Sequence, residues 1–289
     1  MEQKSFQNEE EGCLYLIPTP IGNLEDLTFR ALRLLKEVHV VAAEDTRQTR
    51  KLFNHFEIAT PLVSYHEHNK RTSGEKLIER MKSGEKVGLV TDAGTPGISD
   101  PGQDLVQLCV EESVPVIPLP GACAATTALI ASGLSTDHFL FYGFLPRQKK
   151  DRQKALEELQ NQPYTLIFYE APHRLKETIS AMASTFGSRP VALARELTKR
   201  YESFVRGAFA DLHDWLRTHE VKGECCIIVE GNQAPIVEEE QPFWEEMSAL
   251  DHIKFYIKKG MDKKDAIKMT AADRGLPKRE VYNLYHQED

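Results

Sequence analysis

Between residues 13 and about 133, short apolar runs alternate with helical patterns, and this alternation limits the possible folds more than any other feature of the 289-residue chain. Strands are expected at 13–18 (CLYLIP), 38–43 (VHVVAA), 61–65, 86–91 and 114–118 (VPVIP). Between the first two, Ala31, Leu34, Leu35 and Val38 recur at i, i+3, i+4 and i+7, the stripe of a helix lying on a sheet. Further helices fit 46–55, 73–82, 102–112 and 122–132. Strands joined through helices build a mostly parallel sheet covered on both faces. A second block, 138–231, has apolar runs at 139–141, 165–169, 191–194, 204–205 and 225–229. The runs at 191–194 and 201–206 stand too close for a helical crossover, which predicts an antiparallel pair and a mixed sheet. The fold class is therefore α/β, with a mostly parallel domain at 13–133, a mixed domain at 138–231 and a hinge at 133–137.

Composition narrows the class. With 41% hydrophobic and 28% charged residues the chain reads as an ordinary soluble globular protein, and no apolar stretch reaches the ~18 residues of a membrane span. Residues 1–12 are acidic and polar, unlike a secretory signal, and are expected to be a disordered tail. Five cysteines (Cys13, Cys109, Cys123, Cys225, Cys226) without a C-x-x-C pair point to buried thiols in a reducing cytoplasm. The net charge of −8 argues against a uniformly basic surface for nucleic acid, yet 251–285 holds nine Lys/Arg against five Asp/Glu, a local +4. An acidic linker and helix, 232–250, sets off a basic helix-turn-helix-like module at 251–289. There Asp262 is placed to N-cap a helix, with Met261 and Ala266 at staple positions, Gly275 suits its C-terminal end and Pro277 opens the next helix. Val281, Leu284 and Tyr285 would form that last helix's inner face. Lys278 and Arg279 would stand at its N-terminal end, where such modules often meet nucleic acid; a packing bundle with a solvated basic side is the alternative.

The densest loop is DAGTPGISDPG, 92–102, with three glycines, two prolines, two hydroxyls and two carboxylates directly after the apolar run 87–90. Glycine permits φ > 0 and close ligand approach, and proline fixes φ, so alternating them gives a rigid cradle for a small polar ligand. A long connecting loop is the plainer reading. A phosphate-binding G-x-x-x-x-G-K-[ST] string is absent, and the turn after the first strand, Pro18-Thr19-Pro20-Ile21-Gly22-Asn23, is not a G-x-G-x-x-G fingerprint. Two further loops at strand ends suit ligand approach, 120–126 (PGACAAT) and 169–174 (YEAPHR). The small residues at 121–125 equally serve close helix–sheet packing.

In order, PTPIGNLEDLTFRAL, AAEDTR, YHEHN, DAGTPGISDPG, PGACAATTAL, FYGFLPR, YEAPHRL and ARELTK resemble the tetrapyrrole-methylase-type (class III) S-adenosylmethionine-dependent methyltransferases. Within them they are similar to the bacterial branch that 2′-O-methylates a cytidine in the decoding region of small-subunit (16S) ribosomal RNA. The resemblance covers about 12–231 plus the basic module. It implies S-adenosyl-L-methionine held in a cleft between the two α/β domains, a homodimer, and the small ribosomal subunit as partner. It also implies cofactor contacts at Pro20, Asp92, Gly94, Ser99, Asp100, Pro101, Gly102, Ala122, Ala124, Thr126 and Tyr169. Tetrapyrrole members carry G-D-P where this chain has Ser99-Asp100-Pro101, so the first glycine is replaced.

Methyl transfer to a ribose hydroxyl needs positioning in line with the S–CH₃ bond and a group to take the hydroxyl proton, and it requires no metal. Glu44, Asp45, Glu170 and His173 are the candidate bases. Glu170 and His173 stand out because an acid, an imidazole and a guanidinium fall within five residues; bracing of the loop is the alternative. Arg47, Arg174, Arg195 and Lys199 are candidates for gripping RNA phosphates, although Arg195-Glu196 would also make a structural ion pair. His66 and His68 suit RNA contact or plain surface polarity, and two histidines without a third ligand are weak evidence for a metal. Two other functions remain open: a methylase for a tetrapyrrole or other small molecule, and a catalytically silent ribosome-binding protein. A small ring offers no phosphates to the +4 module, and the intact glycines of the long loop speak against lost catalysis.

Overall fold

The computed structural model describes residues 3, 11–233, 244 and 247–286, so most of the expected disordered tail and of the acidic linker lies outside the described residues. The chain divides into two compact units, Met1–Gln233 and Ala234–Asp289.

The first unit contains two five-stranded sheets. Strands β1 (Cys13–Leu16), β2 (Val40–Ala43), β3 (Leu62–Ser64), β4 (Lys86–Val90) and β5 (Val116–Pro118) form an all-parallel sheet in the order β3-β2-β4-β1-β5. Strand periodicity sorts their side chains onto opposite faces. Val40, Ala42, Val87 and Leu89 pack with α3 (Lys70–Lys82) and α4 (Gln103–Glu111) on one side. Val41, Ala43 and Val90 pack with α1 (Phe29–Glu37) and α2 (Thr46–His55) on the other. Thr28 and Asp45 cap these two helices by accepting from the Ala31 and Arg47 amides at 3.1 and 2.8 Å. Helix α3 starts three residues before the expected 73, because Asn69 closes the preceding turn by accepting from the His66 amide.

Strands β6 (Phe139–Phe144), β7 (Thr165–Glu170), β8 (Pro190–Arg195), β9 (Ser203–Ala208) and β10 (Cys225–Val229) form the second sheet in the order β6-β7-β10-β8-β9. Only β6–β7 is parallel, so the sheet is mixed, and β8–β9 is the antiparallel pair expected from its short connection. Helices α6 (Lys149–Glu158), α7 (Leu175–Phe186) and α8 (Phe209–Thr218) cover one face through Leu156, Ile179, Met182, Phe186, Phe209 and Leu212. Helix α5 (Ala124–Ile130) follows β5 in the chain, yet Ala125, Ala128 and Leu129 pack on the opposite face of this second sheet, against Ile167, Ala192, Ala194 and Ile228.

The second unit holds three helices among its described residues, α9 (Ala249–Lys258), α10 (Lys263–Asp273) and α11 (Lys278–His286), around Ile253, Ala266, Ile267, Ala271 and Val281. Asp262 caps α10 by accepting from the Lys264 and Asp265 amides at 2.8 and 3.0 Å, and Gly275 takes φ 61° just past its end. The expected inner face of α11 needs a correction. Val281 is fully buried and Tyr285 packs on the core, but Leu284 is 41% exposed, because it lies off the Val281–Tyr285 stripe.

The Arg152 side chain of α6 is 2% exposed and pairs with Glu177 of α7, which is 61% exposed. Removing the acid orphans a buried cation, whereas methionine at 152 keeps the apolar stem and removes the charge. Glu177→Ala should cost roughly 3 kcal/mol in urea unfolding, and Arg152→Met less than about 1.5 kcal/mol.

Candidate active site

A cavity of about 330 Å³ opens at the carboxyl ends of the first sheet's strands and is closed by residues of the second sheet. This is where parallel α/β sheets bind ligands, since successive loops converge there. The loop after β1 is stitched to the long loop after β4. The Thr19 amide donates to the Gly94 carbonyl at 2.9 Å, the Gly94 amide donates back at 3.0 Å, and the Thr19 hydroxyl donates to the Thr91 carbonyl at 3.2 Å. Further along, the Thr95 hydroxyl donates to the Ala122 carbonyl at 2.9 Å, tying the long loop to the segment that enters α5. From the second sheet, the Tyr169 hydroxyl accepts from the Ala125 amide at 3.0 Å, satisfying a donor in the first turn of α5.

The long loop meets the second sheet at Gly143. Strand β6 is irregular between Phe141 and Gly143, and Gly143 takes φ +80° with Ser99 so close that a Cβ there would stand 2.9 Å from its hydroxyl oxygen. Ser99 itself adopts φ 60°, a left-handed backbone rare outside glycine. The replaced glycine of the G-D-P motif therefore still has a glycine-like conformation.

Of the residues expected at a cofactor, Asp92, Gly94, Ser99, Asp100, Ala124 and Tyr169 line the cavity. Pro20, Pro101, Gly102, Ala122 and Thr126 are not part of its wall. Gly102 serves the fold instead: it opens α4, and a Cβ there would meet Leu89 at 3.1 Å. Ala122 and Thr126 use polar atoms to shape the entry to α5, the carbonyl of the first accepting from Thr95 and the hydroxyl of the second donating to the Cys123 carbonyl at 3.3 Å. Cys123, within the small-residue loop 120–126, lines the cavity too, while Ile21, Leu197, Glu224 and Cys226 on its wall were not expected from the sequence.

The two favoured bases fare differently from expectation. The Glu170 side chain is fully buried; it accepts from Thr178 at 2.6 Å and from the Ala171 amide at 2.8 Å, and it lies 3.4 Å from Arg174. Arg174 donates onward to the Leu145 and Pro146 carbonyls at 3.0 and 3.1 Å. This network braces the YEAPHR turn, the alternative role. His173 is exposed and outside the cavity wall.

Among the RNA candidates, Arg195 donates to Ser203 at 2.8 Å and lies over Trp215 at 5.6 Å, so its neighbour Glu196 pairs with Lys199 instead, at 3.0 Å. Lys199 lines the cavity. Arg47 is 88% exposed at its side chain and bound to Asp45 through two hydrogen bonds of 3.0 and 2.7 Å, which hold the Asp45 carboxyl down to about 2. His66 and His68 stand edge to face at 5.9 Å, and no metal-holding group of three His, Cys, Asp or Glu occurs among the described residues. Lys278 and Arg279 are exposed at the start of α11.

The cavity is acidic. Burial, reinforced by the charges of Glu44, Asp92 and Glu224, pushes the Asp100 carboxyl up to about 7. Burial and the neighbouring Asp45 also raise Asp92, and burial and Asp92 raise Glu44. A ligand bearing positive charge relieves this repulsion, while Ile21, Ala93, Cys123, Ala124 and Leu197 offer an apolar strip for a flat ring. Gly143→Ala should push Ser99 out of place and weaken S-adenosylmethionine binding at least ~10-fold by calorimetry, a loss of about 1.4 kcal/mol or more.

Comparison with known proteins agrees with this geometry. The model of the Tetrapyrrole (Corrin/Porphyrin) Methylases matches residues 13–213. The ribosomal RNA small subunit methyltransferase I of Halalkalibacterium halodurans is 56% identical over 287 residues, 99% of each chain. Among solved structures, the cobalamin biosynthetic enzyme cobalt precorrin-4 methyltransferase is 19% identical with a TM-score of 0.58, covering 78% of this chain and 98% of its own. Uroporphyrin-III C-methyl transferase from Thermus thermophilus, complexed with S-adenyl homocysteine, is 19% identical with a TM-score of 0.56, covering 76% and 97%. The chain belongs to the tetrapyrrole (corrin/porphyrin) methylase family.

Proposed function

We propose that this protein transfers the methyl group of S-adenosylmethionine to the 2′-hydroxyl of a cytidine in the decoding region of 16S ribosomal RNA, in the cytoplasm and as a homodimer. The observation that carries the proposal is length. The rRNA methyltransferase relative matches the chain end to end, whereas the precorrin-4 enzyme is matched almost whole by 78% of it. The fold shared with porphyrin and corrin methylases thus leaves about a fifth of this chain over, comparable in size to the basic C-terminal unit.

The residues of the cavity fit the methyl donor. Its net charge is positive, and the carboxylates of Asp92, Asp100 and Glu224 supply the complementary field. Its ring suits the apolar strip, and Gly94 with Ala124 leaves backbone accessible. When bound, it supplies an electrophilic methyl group on a sulfonium. The chain's own contribution is to hold the loops rigid, exclude water and fix the acceptor ribose, with Lys199, Arg47, His66 and His68 near the strand ends and Lys278 and Arg279 on the tail gripping RNA. Arg174 and Arg195 brace the framework.

Exposed aromatics on and beside the edge strand β6, Phe139, Tyr142, Phe144 and Tyr164, support the homodimer by offering apolar area for a second copy. Light scattering should give twice the chain mass, and Phe139→Glu should shift it toward the monomer.

Labelled S-adenosylmethionine with under-methylated small subunits should place label on one cytidine ribose; label on a base, or none, overturns the assignment. A chain ending at 233 should keep the wild-type affinity for S-adenosylmethionine and bind subunits more weakly with a shallower salt dependence, because Lys278, Arg279 and neighbouring cations no longer displace counterions.

A further inference from the structure

Resting on the proposed reaction, we infer that Tyr201, at the tip of the turn between β8 and β9, stacks on an unpaired RNA base beside the acceptor cytidine and so holds the neighbouring ribose at the mouth of the cavity. This turn, 196–202, starts on the cavity wall with Glu196, Leu197 and Lys199 and then leaves it. Tyr201 is 67% exposed, and the equally solvent-facing Arg200 places its guanidinium 5.7 Å from the centre of the ring. No carboxylate is paired with that guanidinium among the described residues.

One exposed aromatic is ordinary on its own. The turn that carries this one is not. Glu196 and Thr198 take φ 51° and 64°, two of the five left-handed non-glycine residues among those described, and for a β-branched threonine that backbone is an outlier. Four amides pin the shape: Glu196 donates to the Glu224 carbonyl at 3.2 Å, Thr198 to the Glu202 carboxylate at 2.7 Å, Lys199 to the Glu196 carbonyl at 3.0 Å and Glu202 to the Lys199 carbonyl at 3.0 Å. From the loop after β1, Gly22 meets the stem of Lys199 so closely that a Cβ there would stand 2.4 Å from it. Strain held this firmly occurs where a side chain must be presented in one place. The ring is thus ordered before any ligand arrives, which lowers the entropic cost of binding on it.

The surroundings select a nucleic-acid base as its occupant. Lys199 and Arg200 are cations suited to phosphates, and Lys199 on the wall is within about 7 Å of chain of Tyr201. The cavity behind them is acidic, so a polyanionic strand is held at the rim while one sugar faces inward. A ribose cannot reach such a cavity from inside a stacked strand. The strand has to open there, and the base that loses its neighbour gains a new π-face on the tyrosine. Stacking of this kind tolerates any base, so the turn supplies position rather than sequence reading.

The test is methyl transfer to under-methylated small subunits by the wild type and by Tyr201→Ala, Tyr201→Leu and Tyr201→Trp. Alanine and leucine should each lower kcat/KM about 10-fold or more, the loss of one base–aromatic stack, while tryptophan should stay within about threefold of wild type. Leucine discriminates, because it keeps apolar bulk but has no π-face. S-adenosylmethionine affinity by calorimetry and the melting midpoint should not change, since Tyr201 is exposed and off the cavity wall. The inference is overturned if the leucine variant transfers within about threefold of wild type. It is equally overturned if light scattering gives Tyr201→Ala a lower mass than wild type, which would make the ring a contact between two copies. Absence of ribose label with the wild type would instead overturn the proposed reaction itself.

Discussion

Two hydrogen bonds between Thr19 and Gly94 underlie the geometry of the cleft. They join the loops that leave two neighbouring strands of the parallel sheet, β1 and β4, as an isolated antiparallel bridge just past the strands' ends. An eleven-residue loop would otherwise pay a large entropic cost to hold one shape. With this bridge, the Thr95–Ala122 bond and the contact of Ser99 with Gly143, the loop is tied at three points to three different segments. Its prolines and glycines make those ties reachable, and the ties make the loop a wall.

Electrostatics divides the labour between the two units. The cavity gathers carboxylates that raise one another's proton affinity, while the C-terminal helices carry a local charge of +4. An acidic cleft favours a cationic donor and repels a polyanion. On the proposed function, RNA is gripped by scattered cations such as Lys199, Arg47 and Lys278 and presents a single sugar to the cleft, rather than filling it.

Most of the fold was legible because strand and helix periods differ and the inner strands β2 and β4 of the parallel sheet have residues buried on both faces. What periodicity leaves open is the partner of a helix. Ala124, Ala125 and Ala128 announce close packing, but nothing in a run of small residues says which sheet lies beneath them. At the site, glycine and proline content marked the long loop as a cradle, and the family resemblance implied Asp92, Gly94, Ser99 and Asp100 within it, all of which line the cavity. The apolar wall formed by Ile21, Leu197 and Cys226 was not legible, since these residues look like core until two sheets are brought together. For Glu170, which lines the cavity, the sequence left base and brace open for a physical reason. An acid beside an arginine resembles an active site, yet Glu170, Arg174 and Thr178 follow one another at four-residue intervals, the spacing of partners along one face of the turn and helix that follow.

Helix α5 follows the first sheet in sequence but is fastened to the second, so the order of the chain and the order of its packing part company between β5 and β6. A cut or relocated terminus in 131–138 would strand that helix on the wrong piece, leaving an uncovered sheet face on one fragment and an orphaned apolar helix on the other. A break in 119–122 would leave each sheet with its own helices. The modular seam of the protein therefore lies ahead of α5, and not in the loop that separates the two sheets along the sequence.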